Sequence, residues 1–172
     1  MAAGIVVTYA AAVLTVSDGV FHGTRADRSG DWLAEGLGPA FSVRWRSVVP
    51  DERDRIEAAL RAWLNRARLV VTTGGTGLGP RDVTPEAVRA VITREVPGMA
   101  EAMRVPLIGQ APHAMLSRQV VGACGTTLIV ALPGSPRAVE EGWRAIAPAV
   151  PHALELLAGH TDHGAPPAPG LV

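Results

Sequence analysis

Val70-Val71-Thr72-Thr73-Gly74-Gly75-Thr76-Gly77-Leu78-Gly79-Pro80-Arg81-Asp82-Val83-Thr84-Pro85-Glu86 joins a strand end, a glycine loop, an acidic residue and a helix start in one short stretch. Leu69-Val70-Val71 is apolar and β-branched, as a buried parallel strand is. Gly74, Gly75 and Gly77 remove side chains where something else must approach the backbone. Thr84 suits an N-cap, and Pro85 suits the first helical position, where its missing N–H costs nothing. A loop of this kind offers unpaired backbone N–H groups to an anion such as phosphate. A strand–helix turn with glycines for geometry alone is the competing reading. A Walker A loop is excluded because Pro80 follows Gly79, and the dinucleotide fingerprint lacks its third glycine at position 80.

Outward from this stretch, strands and helices alternate. Residues 11–16 read as a first buried strand, ended by Ser17-Asp18-Gly19. Asp27 or Ser29 is placed to cap a helix whose apolar positions are Trp32, Leu33 and Leu37, closed by Gly38-Pro39. Phe41, Val43, Trp45 and Val49 nearly alternate, as in a second strand ended by Pro50-Asp51. Asp51 can cap the helix that follows, where Ile56, Leu60, Trp63, Leu64 and Ala67 recur at helical spacing. Beyond the loop, a helix over 85–93 and a segment marked by Met99, Met103 and Leu107 are expected. A short edge strand over 119–122, a buried strand over 127–131, a helix over 138–146 and a last stripe of Ile146, Val150, Leu154 and Leu157 complete the chain. The pattern predicts one three-layer α/β/α domain over residues 1–158 with a mainly parallel sheet. Residues 159–172, rich in Pro, Gly and Ala, read as a flexible tail.

The chain is long enough for one domain with a substantial core, at 172 residues and 48% apolar content. With 16 basic and 16 acidic side chains it carries no basic footprint for nucleic acid. A single cysteine, Cys124, forms no internal disulfide or thiolate cage and reads as a small core residue. Residues 1–16 lack a basic leader, and no stretch approaches the ~20 apolar residues of a membrane span. The expectation is therefore a cytoplasmic protein without membrane association. His160, Asp162 and His163 resemble metal ligands but stand in a polar tail and are read as solvated.

In a parallel sheet the loops after the strands share the carboxyl edge, where α/β proteins bind ligands. Ser17-Asp18, Pro50-Asp51, Thr73 to Asp82 and Leu132 to Ser135 all follow strands, so they are expected to line one cleft. Asp51 and Asp82 are the informative pair. Magnesium takes one or two carboxylates together with phosphate oxygens and water, so a nucleotide–magnesium site is one reading. Chemistry of that kind depends on positioning and charge neutralisation and needs no protein nucleophile. Other roles stay open: Asp51 as a helix cap, Asp82 as a brace for its own loop, Ser117 as a turn cap, and Arg81 and Arg118 as phosphate contacts or surface residues.

Five ordered segments carry a resemblance: 13–18 with Asp27-Arg28-Ser29-Gly30, 49–52, 72–86, Met115-Leu116-Ser117-Arg118, and Leu132-Pro133-Gly134-Ser135. Glu95-Val96-Pro97-Gly98-Met99 and Pro151-His152-Ala153-Leu154 also fit. Together they span roughly residues 10 to 158 and resemble the molybdopterin adenylyltransferase family of molybdenum cofactor biosynthesis, especially the G-domain of gephyrin. The resemblance implies a molybdopterin-binding-like fold, transfer of AMP from Mg-ATP to the terminal phosphate of molybdopterin, release of pyrophosphate, and a homotrimer. The adenylylated product would pass to a molybdenum-insertion enzyme. It matches Asp51 and Asp82 to two essential, magnesium-holding aspartates. Thr73, Gly74, Gly75 and Thr76 match the nucleotide and pterin phosphate loop, and Ser117 matches a serine of the substrate pocket. Ser17, Asp18, Ser29 and Gly30 match the loop beside the pterin, and Pro133, Gly134 and Ser135 a loop framing the cleft.

Leu107-Ile108 departs from a Ser-Leu pair usual in relatives. The competing class is a non-catalytic molybdopterin-binding paralogue, a carrier or scaffold, which should lack an aspartate or the polar loop residues. Apolar surface for the trimer is sought on the segment Val120 to Val130.

Overall fold

A computed structural model describes residues 8–160 of the chain. Of the tail expected over residues 159–172, residues 161–172, including Asp162 and His163, lie outside the described residues, as do residues 1–7 of the N-terminal segment read for a leader.

Alternation of side chains along each strand builds two cores. Strand β1 (Tyr9–Val16) turns Ala11 and Val13 to one face and Ala12, Leu14 and Val16 to the other. Strand β3 (Leu69–Thr73) does the same with Val71 on one face and Val70 on the other, and all its side chains are buried. Helices α3 (Arg53–Trp63) and α4 (Thr84–Val91) cover one face with Ile56, Leu60 and Val88. The other face takes α2 (Arg28–Gly36), α5 (Pro97–Ile108), α6 (Pro136–Ile146) and α7 (Val150–Leu157), through Leu33, Met103, Trp143 and Leu154. A four-residue helix, α1 (Asp18–Phe21), follows β1; its length hides it from any periodicity argument.

Six strands form the sheet. With β2 (Phe41–Val49), β4 (Arg94–Glu95), β5 (Val121–Cys124) and β6 (Thr127–Leu132), the order is β2-β1-β3-β6-β5-β4. Strands β2, β1, β3 and β6 are mutually parallel, while β5 runs antiparallel to β6 and to β4. The expected mainly parallel three-layer fold is therefore present. The strand near residue 120 is not the edge, however: the two-residue β4 covers it, and no sequence pattern marks so short a strand. Cys124 is half-buried at the end of β5 and not in the core.

Val120, Val121 and Val130 are fully buried, so the segment Val120 to Val130 offers no apolar surface to a partner. They fill the sheet instead. The exposed large apolar side chains include Val105 on α5, Met115 and Leu116 in the 3-10 turn Pro112–Leu116, and Leu78 in the glycine loop.

Glycines differ sharply in what they do. Gly98, exposed in the first turn of α5, has open space where a Cβ would go and an ordinary helical backbone. Gly98→Ala is expected to stabilise the chain by about 0.5–1 kcal/mol, by narrowing the unfolded ensemble. Thermal denaturation should register this as a rise of about 2 °C.

Candidate functional site

Strand order turns back between β1 and β3: the chain leaves β1 toward β2 on one side and returns with β3 on the other. The loops after β1, β2, β3 and β6 meet above this point, where open α/β sheets place their ligands. Gly74 makes the close approach possible. Its φ is +100°, and a Cβ there would sit 2.1 Å from the Val16 carbonyl oxygen. Gly75 follows with φ +64°, hemmed by the Thr84 hydroxyl and by Asp51 Oδ1.

Thr84 does not cap its helix as expected. It lies inside α4, fully buried, and its hydroxyl donates to the Gly74 carbonyl at 2.8 Å. The loop carbonyl competes for the hydroxyl and wins. Asp51 does not cap α3 either, since Glu52 stands at that position without a side-chain bond. Its Oδ2 accepts from the Asp18 N–H at 2.7 Å, while its own N–H donates to Asp18 Oδ1 at 3.0 Å. Arg81 then grips both oxygens of Asp18. Three loops, after β1, β2 and β3, are thereby tied through Asp18. The hydrogen bond from the Asp51 N–H is the main cause that holds the Asp18 carboxyl below its usual range, with Arg81 assisting. Burial pushes Asp51 up, and the nearby negative charges of Asp18 and Asp82 push in the same direction.

Asp82 braces its own loop, accepting from the Gly79 N–H through Oδ2 at 2.8 Å. A Cβ at Gly77 or at Gly79 would lie 2.8 Å from the same oxygen, so these glycines leave room for the carboxylate. Arg118 is a structural staple and not a free surface cation. Its Nε donates to the Gly77 carbonyl, one terminal nitrogen to the Asp82 carbonyl, and the other to Glu86. Its own N–H bonds the Thr76 carbonyl.

Two cavities of about 560 Å³ each open on this edge. Gly75, Asp82, Gly134 and Ser135 belong to both. Asp51 and Asp82, far apart in sequence, line the first cavity together.

The domain family described as "Probable molybdopterin binding domain" matches residues 12–152. The chain belongs to this family. A molybdopterin adenylyltransferase of Helicobacter pylori J99 is 39% identical, with 86% of this chain and 87% of that protein covered. The molybdenum cofactor synthesis protein cinnamon of Drosophila melanogaster is 42% identical over 84% of this chain, but the chain spans only 25% of it. Among solved structures, the molybdopterin biosynthesis enzyme MoaB of Thermus thermophilus superposes with a TM-score of 0.83 at 46% identity, covering 88% of this chain and 98% of that one. The names of these relatives belong to molybdenum cofactor biosynthesis, the pathway the resemblance implies.

Within this molybdopterin-binding-family fold, most of the expected residues gather at the two cavities. Ser17, Thr73, Gly74 and Ser29 line the first, and Thr76, Ser117 and Pro133 line the second. Several spend their hydroxyls on the framework. Ser29 donates to the Gly134 carbonyl, Thr73 to the Pro133 carbonyl, and Ser135 caps α6 by accepting from the Ala138 N–H. Thr76 and Ser117 hydroxyls pair at 3.2 Å. Ser17 caps α1 and accepts from the Val20 N–H. Asp18 and Gly30 line neither cavity. Asp18 acts through Asp51, and Gly30 packs where a Cβ would meet Asp27 and Thr15. The sequence reading did not single out Gln110, Arg137 and Glu141, which are hydrogen-bonded to one another at the rim of the second cavity. Arg137 and Glu141 lie one turn apart on α6, but Gln110 comes from the turn after α5, so no shared motif marks the three. Leu107, read from the sequence as a departure from the family pattern, is buried in the wall of that cavity.

Proposed function

We propose that this chain transfers AMP from ATP to the terminal phosphate of molybdopterin and releases pyrophosphate. The observation that carries the reading is the meeting of Asp51 and Asp82 at one cavity above the glycine turn. A terminal phosphate oxygen of the pterin forms the new bond to the α-phosphorus. The bond from that phosphorus to the β-phosphate oxygen breaks, and pyrophosphate leaves with its electron pair. No protein nucleophile is needed; the chain's work is positioning and charge control.

The donor set fits magnesium. Asp51 Oδ1 and Asp82 Oδ1 make no hydrogen bond among the described residues, so each keeps one oxygen to give. Hard oxygen donors from two carboxylates, with phosphate oxygens from substrate, are what this ion takes. When bound, it would neutralise phosphate charge as the leaving group departs. Asp18 and Arg81 fix the rotamer of Asp51, and Arg118 fixes the turn that presents Asp82. The same reading includes a homotrimer, for which the exposed Val105, Met115 and Leu116 are the apolar surface to test, a cytoplasmic location, and a molybdenum-insertion enzyme as the next consumer of the product.

Purified chain with magnesium, ATP and molybdopterin is expected to release one pyrophosphate per adenylylated pterin formed, and none when the pterin is left out. Binding of molybdopterin without any pyrophosphate release would replace this reading with the carrier or scaffold alternative.

A further inference from the structure

We propose that Arg25 and Arg28 form a phosphate subsite in the cavity that holds Asp51 and Asp82. Both arginines are exposed on the segment between α1 and the first turn of α2, and both line that cavity. Charge sets the requirement. Asp27, Asp51 and Asp82 also line the cavity, and a phosphate monoester brings about −1.5 to −2 more charge at neutral pH. An anion entering such a space needs cations facing it.

The other nearby cations are committed. Arg81 is bidentate on Asp18, Arg118 is held by the glycine loop and Glu86, and Arg46 joins Asp27 to Asp31. Arg25 and Arg28 make no ion pair and no side-chain hydrogen bond among the described residues. The Arg25 side chain lies along Gly19, with Nε 3.7 Å from where a Cβ would stand. Arg28 is the first residue of α2, where the helix dipole disfavours a cation. A bound phosphate offsets that cost. Guanidinium groups recognise phosphate through paired N–H donors, so the ligand class is a phosphoryl group. It can come from the nucleotide triphosphate or from the terminal phosphate of the pterin. The inference rests on the adenylyl-transfer reading only for which of these anions arrives.

The test is calorimetric titration of the whole chain with inorganic tripolyphosphate in magnesium buffer, with ATP and molybdopterin as separate arms. The double variant Arg25→Gln/Arg28→Gln is expected to lose affinity for tripolyphosphate by about tenfold or more. Arg25→Lys/Arg28→Lys should recover only part of it, because the charge returns without the paired N–H donors. Arg94→Gln, on β4 at the far edge of the sheet, should change nothing. A single Arg25→Gln, on an exposed loop, serves should the double variant fail to fold. A matching loss in the ATP arm supports the subsite and assigns it to the triphosphate; a matching loss in the molybdopterin arm supports it and assigns it to the pterin phosphate. Unchanged affinity in all three arms, or no binding by the unaltered chain, overturns it. A chain that binds tripolyphosphate through these arginines yet releases no pyrophosphate would instead sink the proposed reaction and leave the subsite standing.

Discussion

Asp51→Asn is expected to slow pyrophosphate release steeply while raising the melting temperature of the ligand-free chain. The two effects share one cause. Burial raises the Asp51 pKa, and the charges of Asp18 and Asp82 add to it. A carboxyl whose pKa is higher in the folded state holds its proton more tightly there. The folded chain therefore loses stability as pH rises through the range in which Asp51 ionises. Asparagine carries no charge at any pH, and its oxygen can still accept from the Asp18 N–H. The gain in melting temperature should be larger at pH 8 than at pH 4. Activity moves the other way, because a neutral amide is a poor ligand for a divalent cation. Losing several kcal/mol of charge stabilisation corresponds to a fall of roughly 100- to 1,000-fold in turnover. Asp82→Asn should show a comparable loss of turnover with little change in pterin affinity. Normal turnover in both variants would remove the metal-holding role. A lower melting temperature for Asp51→Asn would mean that its charge is compensated in the fold.

Gly74→Ala should be the most damaging single-methyl change in the chain. The new Cβ would fall 2.1 Å from a backbone oxygen of β1, at a φ of +100° that alanine avoids. Neither contact can relax cheaply, since Val16 is held in the sheet by its pairing with Val49. A left-handed backbone alone costs about 1–3 kcal/mol, so a loss of about 3 kcal/mol or more is expected once the clash is added. For a domain of this size that is a drop of roughly 6–12 °C in melting temperature. Gly98→Ala, with the same methyl in open space, supplies the opposite sign in the same assay. Equal effects at the two positions would show that the turn is looser than its geometry implies. Pyrophosphate release should fall in Gly74→Ala even below its melting point, because the turn sets the distance between the loops carrying Asp51 and Asp82.

The glycine stretch and the alternating strands made the fold legible. Buried strands such as Leu69–Thr73 are written in composition, and helices such as α3 in apolar spacing. Both are local properties, set within a few residues. The convergence of Asp51 and Asp82 was also readable, because parallel strands send their following loops to one edge. The partners of the polar side chains were not. Asp51 and Thr84 both suited helix caps by sequence, and both turn instead to groups on other loops. A hydroxyl or carboxylate near a helix start has several acceptors or donors within reach, and which one it meets depends on how the loops pack.

By itself, the sequence determined the layers of this protein, the edge on which its loops collect and the acidic pair they bring there, since periodicity, glycine and strand direction act through the backbone. Only the tertiary structure decided that Arg81 and Arg118 are bound to the framework, that Arg25 and Arg28 face the cavity unpaired among the described residues, and that Asp18 serves Asp51. Charge pairing acts through space between residues far apart in the chain, so it is settled by packing and leaves no local pattern to read.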